Sequence, residues 1–188
     1  MNVDQLIHKC IKKDRRAQEA LYNTYKKKLF PVCLKYCRSH SEAEDHLHDV
    51  FIEIFDKIAK YKGKGSFEGW MKRIAINTAI DKYKKNKTFS LEAEKAANLS
   101  EDTTLEPNDL PPTWEELIAL IQELPDQYRI VFSLYELDGY SHKDIASTLK
   151  ISGSTSKSNL HRAKAILKDK ISADKKNGAI IKSDSYGK

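Results

Sequence analysis

Apolar residues recur along this chain at helical spacing. Val3, Leu6, Ile7, Cys10 and Ile11 share one face, and Asp14 stands where a capping residue opens a second helix carrying Ala17, Leu21, Tyr25, Leu29 and Phe30. Pro31 marks a kink or a restart before Val32, Leu34 and Tyr36. Ser41-Glu42-Ala43-Glu44 reads as a capping box, the serine oxygen accepting from the Glu44 backbone while Glu44 reaches back. It opens the clearest amphipathic helix: Leu47, Val50, Phe51, Ile54, Phe55 and Ile58 form one stripe, with Asp45, Asp49, Glu53 and Asp56 largely off it. Tyr61-Lys62-Gly63-Lys64-Gly65 is a basic, glycine-rich loop. Ser66 then caps a helix to about residue 86 that buries Phe67, Trp70, Met71, Ile74, Thr78 and Ile80.

Residues 88–112 change character: they are rich in Ser, Asn, Thr, Pro and acidic residues and end in Leu110-Pro111-Pro112. This composition predicts a flexible linker. Thr113-Trp114-Glu115-Glu116 is a second capping box, leading a helix with Leu117, Ile118, Leu120, Ile121 and Leu124 that Pro125 stops. Another helix spans Asp126 to Leu137, with Ile130, Val131, Leu134 and Leu137 inward. Ser141-His142-Lys143-Asp144 caps a short helix with Ile145, Ala146 and Leu149. After Ile151-Ser152-Gly153 a last long helix carries Leu160, Ala163, Leu167 and Ile171. The pattern predicts an all-α chain of two small helical domains, residues 1–87 and 113–174, joined by the linker over 88–112 and followed by a disordered tail over 175–188.

Charge sharpens this division. The 188 residues carry a formal net charge of +6, but residues 57–87 hold ten basic and two acidic side chains, residues 88–141 two basic and twelve acidic, and residues 142–176 nine basic and three acidic. Two basic blocks flanking an acidic one point to two separate polyanion contacts; two solvated helical faces are the plainer alternative. Three cysteines, Cys10, Cys33 and Cys37, imply no disulfide framework. The start Met1-Asn2-Val3-Asp4 does not read as a secretory signal, and no apolar run approaches ~18 residues. The expectation is a cytoplasmic chain without membrane insertion.

The strongest chemical signal runs from Tyr140 to Ile171. A short capped helix, a tight turn at Ile151-Ser152-Gly153 and a helix with small polar and basic residues in its first turns make a helix-turn-helix. Ile145, Ala146, Leu149, Ile151 and Leu160 can pack the two helices together. Ser154, Thr155, Ser156, Lys157, Ser158, Asn159, His161, Arg162 and Lys164 then remain to face a major groove, where Asn pairs with adenine edges and Arg or Lys with guanine or phosphate.

These residues also carry a resemblance. Leu124-Pro125-Asp126-Gln127-Tyr128-Arg129-Ile130-Val131-Phe132, Asp138-Gly139-Tyr140-Ser141, Asp144-Ile145-Ala146 and the run Thr155 to Lys164 resemble region 4 of the bacterial sigma-70 family. Ala43-Glu44-Asp45, Asp49-Val50-Phe51 and Trp70 to Asn77 followed by Asp81 resemble region 2 of the same family. Two motif sets in order, joined by a short linker, are similar to the extracytoplasmic-function group. The resemblance implies a sigma region 2 helical bundle and a region 4 helix-turn-helix. It implies no enzyme and no cofactor, and a chain that is monomeric when free. The implied partners are core RNA polymerase, through its β′ coiled coil and β flap, promoter DNA, and an anti-sigma factor. On this chain it places polymerase binding at Asp45, Asp49, Phe51 and Glu53. It places capture and melting of the −10 element at Lys62, Lys64, Ser66, Phe67, Trp70, Arg73, Asn77, Lys84 and Lys85, with Lys72 and Lys82 alongside, and −35 reading on residues 154–164. Trp70, spaced with Phe67 and Ile74, is read first as core and second as a base-stacking surface.

The chain departs from the family pattern at three places. His48 stands where glutamine is common. Lys84-Lys85 replaces arginines, keeping charge but losing bidentate geometry. Gly153-Ser154 precedes Thr155 where glycine usually adjoins the threonine, moving the register of the last helix by a residue. Two rival readings stand beside the resemblance. One is a different helix-turn-helix regulator that binds an operator without polymerase. The other is a metal site using His46, His48, Glu44, Asp45 and Asp49, or Cys33 and Cys37 with His40; but His46 and His48, two apart on a helix, diverge, and the cysteines read as small packed residues. No metal and no catalytic signature is therefore expected.

Overall fold

The computed structural model describes residues 2–89 and 112–184. The chain divides into two compact units, one before residue 92 and one from it onward. Every regular element among the described residues is helical.

The first unit contains α1 (Val3–Ile11), α2 (Arg15–Leu34), α3 (His40–Lys57), a 3-10 turn (Ile58–Lys60) and α4 (Phe67–Phe89). Asn2 caps α1, accepting from the Asp4 N–H at 2.6 Å. Leu6, Ile7 and Cys10 are buried, but Val3 and Ile11 are exposed. The two ends of the expected stripe fall off it because successive i+4 steps of a 3.6-residue helix drift around the axis. Asp14 caps α2 as expected, accepting from the Ala17 N–H at 3.0 Å. Pro31 lies inside α2 without ending it. The cap of α3 sits two residues before the expected one: Ser39 accepts from the Glu42 N–H at 3.1 Å, and Glu42 accepts from the Arg38 N–H at 2.8 Å. Ser39-x-x-Glu42 has the same spacing as Ser41-x-x-Glu44, and the earlier pair forms the cap. Ser66 starts α4, accepting from the Gly69 N–H at 3.0 Å.

α4 packs against both α2 and α3, and its buried arc is wide, spanning Met71, Ile74, Ala75, Ile76, Ala79 and Ile80. With Leu21, Leu29, Val50, Ile54 and Ile58 these make the core, each fully buried large side chain worth about 1.5–3 kcal/mol. The His46 side chain, which is polar, sits among them. His46 Nε2 lies 3.1 Å from the Ala75 carbonyl, tying α3 to α4. A carbonyl only accepts, so the proton is on Nε2, and buried Nδ1 has no partner among the described residues. Burial holds this imidazole below its ordinary pKa, against the raising effect of the Ala75 bond.

The second unit contains α5 (Trp114–Gln122), α6 (Asp126–Phe132), a π-helical segment (Ser133–Leu137), α7 (His142–Leu149) and α8 (Gly153–Asp184). The Thr113 and Ser141 capping boxes form as expected. Buried Arg129 donates to the Gln122 and Leu124 carbonyls at 3.1 and 2.7 Å and pairs with Asp126, satisfying the open end of α5. The turn between α7 and α8 places its left-handed residue at Lys150, with φ +55°, and Ser152 caps α8 by accepting from the Thr155 N–H at 3.0 Å. Gly153 is therefore the first residue of α8, and a Cβ there would meet nothing within 4 Å among the described residues.

Two expected boundaries fall differently. α4 continues to Phe89, so residues 88 and 89 are helix; the rest of the predicted linker, except Pro112, lies outside the described residues. α8 continues to Asp184 through most of the predicted tail.

Candidate nucleic-acid and polymerase interfaces

α8 is amphipathic from its first turn. Ser156, Leu160, Ala163 and Leu167 recur at i, i+4, i+7 and i+11 and are buried, with Asn159 beside them. Ser154, Thr155, Lys157, Ser158, His161 and Lys164 are exposed. Two residues expected to enter a groove thus face inward. Ser156 has no exposed surface, and Asn159 is 7% exposed. Both belong to the stripe that Leu160, Ala163 and Leu167 define, which could have been projected back one turn from the sequence. The Ser156 hydroxyl lies 2.9 Å from His142 Nδ1 on α7, and the Tyr135 ring stacks on His142 at 4.3 Å. Arg162 is half-buried and donates to the Tyr128 hydroxyl at 3.2 Å, while Lys164 pairs with Glu136 at 2.7 Å. The Ser154 and Thr155 hydroxyls each lie 2.8 Å from the capping Ser152 hydroxyl. Lys157, Ser158 and His161 form the center of the outward face. At the start of α7 the Ser141 hydroxyl and N–H hold the Asp144 carboxyl below its ordinary pKa, keeping that cap ionised.

The basic surface of the first unit is built differently. Lys62, Lys64 and Ser66 are exposed on the loop before α4, and Arg73, Asn77 and Lys85 are exposed along α4 at i, i+4 and i+12. Other lysines have carboxylate partners. Glu68 holds Lys72 at 2.8 Å and Lys28 at 3.0 Å, and these two bonds keep its carboxyl below the usual range. Lys82 lies 3.4 Å from Glu42, and Lys84 lies 4.0 Å from Asp81. Phe67, expected on this surface, is buried: its ring meets Tyr25 edge-on at 5.8 Å and stacks on Trp70 at 5.5 Å. Trp70 is half-buried, so it serves the core and retains accessible surface.

On α3, Asp45 and Asp49 are exposed and Glu53 is half-exposed, paired with Lys57. Phe51, expected to face a partner, is 3% exposed and packs on Tyr22 at 4.6 Å; it follows Val50 on the inward stripe. Sequence reasoning passed over Ile52, which is 60% exposed and lies on the acidic side of α3. It also missed a groove of about 640 Å³ between α2 and α3. Tyr22, Phe30 and Pro31 line it from α2 and Asp45, Leu47 and His48 from α3, with Lys26 and Lys27 on one rim and Glu44 on the other. Ile52 breaks the polar run of an otherwise regular face and could have been noticed; the groove exists only once two helices meet.

Cys10, Cys33 and Cys37 are buried thiols outside any disulfide, and burial pushes Cys33 up to about 12. His46 points into the core while His48 is exposed, its Nδ1 3.2 Å from the Glu44 carbonyl. Among the described residues no group of three or more His, Cys, Asp or Glu side chains is placed to hold a metal ion. No helix among them is long and apolar enough to cross a membrane.

Comparison with known proteins matches both units. Residues 21–89 match the family model for sigma-70 region 2, and residues 114–167 match that for sigma-70 region 4. The chain is 28% identical over 171 residues to the RNA polymerase sigma-H factor of Pseudomonas aeruginosa, covering 85% of this chain and 89% of that one. It is 29% identical over 183 residues to the ECF RNA polymerase sigma factor SigW of Bacillus subtilis, covering 91% and 97%. Among solved structures, the sigma factor RpoE of Bartonella quintana, co-crystallised with the anti-sigma factor NepR, aligns with TM-score 0.48 at 18% identity over 83% of this chain and 97% of that one.

Proposed function

This chain belongs to the sigma-70 family, in its extracytoplasmic-function group, and is a sigma factor of bacterial transcription initiation; on that premise we propose how its two units divide the work. The second unit reads the −35 element as duplex. What carries this reading is the exposed center of α8, where Lys157, Ser158 and His161 stand opposite a fully packed stripe and can reach base edges and phosphates in a major groove. Thr155, Ser154 and Lys164 flank them, and Arg162 takes part only by releasing Tyr128.

The first unit captures the −10 element as an opened strand. Unstacking a base costs a few kcal/mol that pocket contacts must offset. The loop over Lys62, Lys64 and Ser66, with the accessible part of Trp70, supplies the pocket, and Arg73, Asn77 and Lys85 follow the strand's backbone. The outward side of α3, with Asp45, Asp49, Glu53 and the apolar Ile52, docks a basic helix of the polymerase β′ coiled coil. The β flap engages the second unit. An anti-sigma factor would act by covering the α3 face. The free chain is a monomer that works in the cytoplasm, where the polymerase is.

Reconstitution tests this reading. The lone protein should bind promoter duplex only weakly and in a salt-sensitive way, and adding core polymerase should yield transcripts from one start site. Tight, operator-like binding by the lone protein, with no transcript on adding core enzyme, would overturn it.

A further inference from the structure

The segment joining the 3-10 turn to α4 is short, basic and rich in glycine, a composition that leaves a chain free to wander. Here it is closed on itself. The Tyr61 hydroxyl donates to the Gly65 carbonyl at 2.7 Å, bridging the two ends of the loop. Gly63 and Gly65 adopt φ +71° and +81°, and a Cβ on either would meet nothing within 4 Å among the described residues. Those glycines are thus required by backbone direction and not by crowding. The other end of the Tyr61 side chain is equally engaged: its ring lies 5.1 Å from Phe67 and 5.5 Å from Trp70, and Phe67 is anchored in the core.

We infer that Tyr61 is a positioning residue for base capture: one side chain fixes the loop to the first unit's core by its ring and closes the loop by its hydroxyl. Lys62 and Lys64 are thereby presented from a preformed ring next to the half-buried face of Trp70. A pocket for an extruded base gains from such closure because loop ordering is then complete before the strand arrives. The inference rests on the reading of the first unit given above, and adds to it the residue that sets the pocket's shape.

The experiment uses holoenzyme reconstituted from the full chain and core polymerase. Promoters carrying each of the four bases at each −10 position are supplied as duplex and as premelted templates. Tyr61→Phe removes only the hydroxyl. Open-complex formation on duplex should fall roughly fivefold, the size of one lost neutral hydrogen bond, and preference among −10 bases should flatten on both templates. Competition by −35 duplex should not change, and thermal unfolding of the protein should shift by no more than that one bond. Gly65→Ala should behave like Tyr61→Phe, because a left-handed alanine is strained, while Gly65→Asn, which tolerates that conformation, should retain wild-type preference. A Tyr61→Phe holoenzyme with wild-type base preference on both templates would overturn the inference and leave the first unit's role intact. A wild-type holoenzyme with no −10 preference at all would instead remove that role, and this inference with it.

Discussion

On α8 the center of the outward face is Lys157, Ser158 and His161, with carboxylate pairs at its margins (Lys164 with Glu136, Lys170 with Glu123), whereas on α4 Lys72, Lys82 and Lys84, within the basic surface itself, are engaged with carboxylates of their own unit. The difference matches the two states of nucleic acid. A base edge in duplex has a fixed position, so its reader must be fixed too, and α8 is held by Leu160, Ala163 and Leu167 and by the Ser156–His142 contact. An opened strand has no fixed path. Lysines that exchange an internal carboxylate for a phosphate can follow it, but each exchange yields less than a new contact would.

The sharpest way to break this contrast is at Asn159. If α8 reads with its exposed face only, Asn159→Ala should destabilise the second unit by about 1–2 kcal/mol without altering the ranking of −35 variants. Lys157→Ala or His161→Ala should leave the melting profile alone and cost about 1–3 kcal/mol of discrimination at one base pair. Competition binding of holoenzyme to −35 variants, beside thermal unfolding, separates the two; a changed ranking in Asn159→Ala would place that side chain in the groove.

Acid should distinguish the units next. His46 has its pKa lowered by burial from an ordinary 6.5, so as pH falls through that value the unfolded chain takes up the proton first. The stability of the first unit is full above about 6.5 and should decline below it by at most about 1.4 kcal/mol per pH unit while the folded imidazole stays neutral. His46→Leu should flatten that decline in urea titrations run at several pH values.

The smallest effect concerns phosphate contacts. Lys85→Ala should reduce the slope of log affinity against log salt for holoenzyme on promoter DNA by about one, and Lys82→Ala by less, because Lys82 already has Glu42 as partner. Equal slopes for the two variants would mean that the internal pair does not compete with phosphate.

Much of this architecture could be read before the structure. Asp14, Ser66, Thr113 and Ser141 cap the helices that local spacing assigned to them, since a cap depends on residues three apart. The two domains followed from a change in composition. Errors arose where two solutions shared one pattern, as with Ser39 and Ser41, or where a small polar residue sat on an apolar stripe, as with Ser156 and Asn159. The family resemblance puts Phe51 on the polymerase face, whereas its own spacing puts it on the core stripe, where it is found. The α2–α3 groove depends on how the chain turns back on itself, and no local pattern encodes it; the Tyr61–Gly65 closure and the Arg129 contacts with the end of α5 join near neighbours but require particular turns of the backbone that composition does not specify.

The thiols offer a practical consequence. Every cysteine of the chain belongs to the first unit, and all three are shielded. An alkylating reagent can therefore act as a stopwatch for the opening of that unit alone, blind to events in the other. Timed labelling in the presence and absence of polymerase would show how firmly the enzyme holds this half of the protein shut.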